Sequence, residues 1–209
     1  MNRNGRMLGS LLVLVVGLAL TNPTGASTID TIGDTSMSNS PSWPYYWTAK
    51  GNALRIDVDR ILIEQEFFLE FIGPMTVNFC VYEASLEFGT YQRIQGNSIE
   101  LTGIGQDWYS SGPISVSLEA GKHYITAFSF PDTLTYFYDQ RAPDEEIPVS
   151  FGAHVHGYGN GHHPLMDQDT IESVIDDHAV YHQRLTTIPE PATLLLLGLG
   201  GLAMFRRRH

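Results

Sequence analysis

From residue 61 to residue 71 apolar and polar side chains alternate. Ile61, Ile63, Phe67, Leu69 and Phe71 fall on one side, and Leu62, Glu64, Glu66, Phe68 and Glu70 on the other. A period of two belongs to a β-strand, whose successive side chains point to opposite faces. The pattern predicts that the first five face a core and the acids face water. Gln65 interrupts the inner set and marks a place for a bulge. Gly73-Pro74 predicts the strand's end. Val77, Phe79 and Val81 then alternate with Asn78, Cys80 and Tyr82. Strand-like runs follow at 89–94, 114–118, 123–130, 133–138 and 148–156, with turns at Gly121-Lys122 and Phe130-Pro131-Asp132. One short helix is expected near the end. Asp169 would cap it, Glu172 would complete a capping box, and Ile171, Val174 and Ile175 would face inward. The expected fold is mainly β: an antiparallel β-sandwich or jelly roll with one short C-terminal helix.

The two ends have another character, and each adds a helix to the expected fold. Arg3 and Arg6 precede an apolar run over 11–20, then Asn22 and Pro23. Thr24 and Ala26 are small residues at the −3 and −1 positions of a cleavage between Ala26 and Ser27. Residues 1–26 therefore read as a secretory signal peptide. The alternative is a permanent anchor, for which the apolar run is short. At the other end Pro189-Glu190-Pro191 precedes an apolar, Gly-containing span over 192–205, then Arg206, Arg207, Arg208 and His209. As a helix that span would be about 21 Å long, against about 30 Å for a bilayer's hydrocarbon core. Snorkelling arginines offset part of the deficit, and the arginine block favours the cytoplasmic side. The expected organisation is a signal peptide at 1–26, a β-domain at 27–188 and a tail at 189–209.

Charge sharpens this division. The 209-residue chain carries a formal net charge of −11. Five of its 12 Lys and Arg sit in the two ends, so the middle is more acidic still. Nucleic acid is excluded as a partner, because its binding needs basic surface. The single Cys, Cys80, cannot form an internal disulfide, so the domain must hold by its core. Nothing adjacent in sequence would activate Cys80 as a nucleophile, and it reads as a small buried hydrophobe.

The Pro189-Glu190-Pro191 tripeptide, the short Leu/Gly span and the arginine block resemble the PEP-CTERM sorting tail of Gram-negative bacteria. The resemblance implies export by the general secretory route and transient anchoring in the inner membrane through the C-terminal helix. It also implies processing near the tripeptide by an exosortase, and delivery to the envelope or an exopolysaccharide matrix. It says nothing of the ligand of the domain. Separately, the run 118–124, Leu-Glu-Ala-Gly-Lys-His-Tyr, is similar to hairpins of bacterial carbohydrate-binding jelly rolls.

Three groups of residues in the middle are candidates for chemistry. His154 and His156 would share a strand face, and Gly157, Gly159 and Gly161 would let His162 or His163 fold back toward them. Neutral imidazoles suit zinc or copper, with Asp167 and Asp169 close in sequence. The alternative is a polar strand end and a loop. Trp108 and Tyr109, between Gln106-Asp107 and Ser110-Ser111, would stack on sugar rings if exposed; otherwise they cover the core. A second aromatic group is Trp43, Tyr45, Tyr46 and Trp47. His178 and His182 lack the Glu of the helical zinc peptidases and read as one face of a final strand with Val180. Glu64, Glu66 and Glu70 read as a solvent face rather than a glycosidase pair. No nucleophile elbow, phosphate loop or dinucleotide fingerprint occurs.

The expectation is an exported, non-enzymatic protein of the envelope or extracellular matrix, structural or adhesive. A carbohydrate-binding module with a polysaccharide partner and a His-cluster metal protein or metalloenzyme are the alternatives.

Overall fold

The computed structural model describes residues 26–34, 37–39, 47–131, 133–142, 145–161, 163–172, 175–176 and 179–190. The expected signal-peptide helix and C-terminal hydrophobic helix lie outside them, as do Arg206, Arg207 and Arg208. The described chain is mainly β. Its strands are β1 (Thr28–Ile32), β2 (Met37–Asn39), β3 (Thr48–Ile56), β4 (Arg60–Ala84), β5 (Thr90–Ser110), β6 (Val116–Leu118) and β7 (His123–Phe130). There follow β8 (Thr135–Gln140), β9 (Ile147–Val149), β10 (Gly152–Gly161), β11 (Thr170–Glu172), β12 (Ile175–Asp176), β13 (Ala179–Tyr181) and β14 (Gln183–Pro189). All pair antiparallel in one continuous sheet whose main path is β1-β14-β4-β7-β3-β10-β12.

The 25-residue β4 organises the molecule. Along one edge it pairs with β6 and then β5. Along the other it meets β14 near its start, β8 at Leu69 and Glu70, and β7 near its end. Leu62 and Val81 would stand about 60 Å apart on a straight strand. Here they belong to one buried cluster with Ile32, Leu54, Tyr124, Phe151 and Leu185. The strand must therefore bend, bringing the β1–β14 half of the sheet face to face with the β7–β3–β10 half.

Gly73-Pro74 does not end the strand, contrary to the sequence expectation. Gly73 takes a φ of 89°, which a side chain resists, and it pairs with Gly103. A Cβ on Gly103 would lie 2.4 Å from the Phe71 ring. Among the described residues only β5 pairs with the stretch 71–77 of β4. Pro74 can thus lack an N–H there without breaking a second ladder.

The expected inner face also needs a correction. Phe67, Leu69 and Phe71 are buried as the alternation requires, but before them Leu62 is buried while Ile61 and Ile63 are half-buried. The cause is a bulge, since Thr186 pairs with Glu64 and Thr187 with Leu62. One extra residue at Ile63 reverses the parity. Gln65 is itself buried; its N–H donates to Ser111 Oγ at 3.2 Å and its carbonyl accepts from Ser111 N at 2.9 Å.

Farther along β4, Val77, Phe79 and Val81 point between the two halves. Cys80, Tyr82 and Ala84 point to the opposite side, into a second cluster with Tyr91, Tyr158, Leu165 and Ile171. That outer cluster is roofed by a single 3-10 turn, Leu165–Asp167, and by β11.

The short C-terminal helix expected from Asp169 and Glu172 is absent from the described residues, and β11 stands in its place. The supposed capping side chains bond across strands instead. Asp169 accepts from Arg93 Nη2 at 2.6 Å, and Glu172 accepts from Thr90 Oγ1 at 2.7 Å. Ile171 is buried between two exposed neighbours, the alternation of a strand. Pairing with β5 overrides the local helix signal. Val174 lies outside the described residues.

A polar clip ties the two halves together within the core. Asn52 Nδ2 donates to the Tyr181 carbonyl and to Gln183 Oε1, both at 2.9 Å, and Tyr181 N–H donates to Asn52 Oδ1 at 3.0 Å. Thr126 Oγ1 donates to Gln183 Oε1 at 3.0 Å. All of these side chains are buried, so a slip of β13 or β14 would strand several polar groups.

Candidate functional sites and the sorting tail

The histidine candidates are not brought together by the described residues. His154 and His156 lie on β10, but a bulge falls between them. His154 pairs with Leu54 and His156 with Ala53, neighbours on β3 that face opposite sides. His154 therefore points between the halves and His156 to the outer side, which corrects the shared face read from the sequence. The His154 ring is fully buried, and neither of its nitrogens has a partner among the described residues. Burial lowers its pKa to about 3, with Arg141 and His156 adding to the effect. The His156 ring stacks on Phe88 at 5.9 Å, and its Nδ1 lies 3.1 Å from the Gly157 carbonyl. His163 is exposed, and its carbonyl accepts from Gln168 Nε2 at 3.2 Å. His162 and His178 lie outside the described residues. Among the described residues no three His, Cys, Asp or Glu gather as metal ligands.

Trp108 and Tyr109 part company. Tyr109 turns into the core against Phe71, ring centroids 4.5 Å apart, and its hydroxyl donates to the Gly105 carbonyl at 2.8 Å. Trp108 is half-buried on the outer face of β5, opposite Phe68. Phe68 lies 5.1 Å from Trp108, His182 meets the indole edge-on at 4.6 Å, and the Arg184 guanidinium sits 3.9 Å over it. Glu66 is opposite both Ser110 and Arg184, and Ser110 Oγ donates to Glu64 at 2.5 Å. Burial raises the Glu66 pKa, Glu64 and Asp107 reinforce the rise, and Arg184 opposes it. Burial lowers that of His182. This face has an aromatic platform flanked by carboxylates and one guanidinium, which can present both stacking and hydrogen-bonding groups.

Of the aromatic group expected at 43–47, Trp43, Tyr45 and Tyr46 lie outside the described residues, and sequence reading missed a further one. Tyr136, Tyr138 and Tyr181 pack with centroids 5.7–6.1 Å apart, and Lys50 Nζ lies 5.6 Å from the rings of both Tyr136 and Tyr181. With Asn39 and Gln140 they line a cleft of about 170 Å³. The only sequence signal is the i, i+2 pair Tyr136 and Tyr138. Cys80 is buried, 3.8 Å from the Met166 sulfur, and burial pushes its thiol up to about 12, as suits an inert core residue.

At the end of the domain the sheet runs directly into the tail. Thr187, fully buried, pairs with Leu62 of β4 and with Thr28 of β1. Pro189 is the last residue of β14 and pairs with Arg60, one residue beyond the boundary expected at 188. Ser117 Oγ, on the far side of β4, donates to the Glu190 carboxylate. Because β1 and β14 are antiparallel neighbours, the Ala26–Ser27 junction and Pro189-Glu190 lie at the same end of the domain.

The family model described as the PEP-CTERM protein-sorting motif matches residues 187–208. The chain thus carries a PEP-CTERM sorting signal, which implies an exported substrate of an exosortase. A comparison with curated proteins finds no match to the chain.

Proposed function

We propose that this is a non-enzymatic protein of the cell envelope or extracellular matrix, with a structural or adhesive role. Its β-domain, read as a sandwich of the jelly-roll kind, is the cargo, and residues 189–209 are its address. The carrying observation is the sorting motif at 187–208, continuous with the last core strand. The placement of the start of β1 beside the end of β14 supports it. A signal peptide and a C-terminal span with cytoplasmic arginines both approach the exported domain from the membrane side. Fractionation of cells with and without the exosortase tests the reading. Tail-free protein outside the inner membrane is expected only when the enzyme is present. Equal recovery of the full-length chain at the inner membrane in both strains would count against it.

The arrangement around Trp108 favours carbohydrate as the second reading. Tyr109 drops out of that site, and Trp108, Arg184, Glu66 and Asp107 remain. Retention on matrix polysaccharide that is lost in Trp108→Ala, with unchanged Tm, would support it. Equal retention of the variant would remove it.

A further inference from the structure

The junction between domain and tail has no spacer. The matched motif begins at Thr187, inside a paired and buried strand, and only Glu190 and Pro191 separate β14 from the apolar span that starts at Ala192. Glu190 extends across the end of β4 to Ser117 on β6, two strands from its own. The first two residues of the tripeptide are thus held by the folded domain, one by strand pairing and one by a hydroxyl–carboxylate hydrogen bond.

We propose that this end of the sheet is a latch on the sorting signal. The processing enzyme engages the chain after Pro189 and Glu190 have lifted from β4 and β6, so the domain's own edge sets how fast its tail is removed. The proposal rests on the sorting reading above. The physical reason is that a processing enzyme takes its substrate as an extended segment with free backbone groups, which a segment already paired in a sheet does not offer. When opening and closing are fast, processing follows the population of the lifted state. The same contact makes the end of the sheet formed by β14, β4 and β6 the surface that meets the membrane-bound enzyme. Pro189 lies within about 11 Å of the first residue of the apolar span, even with the chain fully extended.

Ser117 is exposed, so its hydroxyl can be removed without touching the core. The test is a pulse–chase of the full chain in cells carrying the exosortase, following tail removal by mass. Ser117→Ala should be processed about fivefold faster, the factor that one net hydrogen bond contributes to an equilibrium. Ser117→Thr, which keeps a hydroxyl, should return to the original rate. A Gly-Ser spacer inserted between Ile188 and Pro189 should be processed at least as fast as Ser117→Ala. Processing of the Ala and spacer variants at the original rate or slower would overturn the latch. An unaltered chain that keeps its tail whether or not the enzyme is present would instead overturn the sorting reading, and the latch with it.

Discussion

Acidification should weaken this domain chiefly through His154. Its ring is buried in the core with neither nitrogen hydrogen-bonded among the described residues, and its pKa falls from 6.5 to about 3. Below pH 6.5 the unfolded chain binds a proton at this position that the native state refuses. Stability from this group is therefore complete above pH 6.5 and is lost as pH falls toward 3. The limiting slope is about 1.4 kcal/mol per pH unit, so the loss between pH 8 and pH 4.5 is about 3 kcal/mol. His123 and His182, also lowered by burial, act in the same direction. Glu66, whose pKa is raised, acts in the opposite one, because its native state binds the proton first. Denaturant unfolding of the released domain at several pH values gives the slope. His154→Leu keeps the apolar character and removes the titration, so its stability should depend distinctly less on pH between 4.5 and 6.5. Parallel profiles for the two proteins would refute the assignment, and with it the claim that His154 is buried as a neutral ring.

Three other outcomes follow from the packing. Phe67→Ala should cost about 3–5 kcal/mol, because the ring is buried with Phe128 at 4.5 Å; an unchanged Tm would show that its placement is wrong. Cys80 should resist thiol reagents in the native protein and react on unfolding, and rapid native labelling would contradict its burial. Asn52→Ala should lose about 2 kcal/mol or more, since it removes two hydrogen bonds to the Tyr181 backbone and one of the two donors to Gln183 Oε1; urea unfolding would show it.

Much of the strand pattern was legible because a period of two survives any sheet topology. The run at 123–130 is β7, and the turn at Gly121-Lys122 forms with Gly121 at a φ of 84° and Lys122 N–H donating to the Glu119 carbonyl at 3.2 Å. What escaped was long-range. The bulge at Ile63 and the bulge between His154 and His156 are fixed by partners distant in sequence, yet each reverses which side chains share a face. Gly73-Pro74 reads locally as a stop, but pairing with Gly103 and Thr102, on an edge with no second partner among the described residues, lets the strand run on. Asp169 and Glu172 read as a cap until Arg93 and Thr90 claim them. Among candidate sites, the tail was fully legible because its signal is linear. The surroundings of Trp108 and the Tyr136–Tyr138–Tyr181 group depend on strand pairing that no local motif encodes.

Export and tail removal are read together from the intact mass of the protein recovered outside the inner membrane of cells that carry the exosortase. That product should begin at Ser27, retain the whole β-domain through Pro189, and lack the apolar span 192–205 with Arg206, Arg207 and Arg208. In cells without the enzyme, or with Pro189 and Glu190 both replaced by Ala, the chain should stay at the membrane with its tail. An exported product that still carries residues 192–209, at equal yield with and without the enzyme, would contradict the sorting reading.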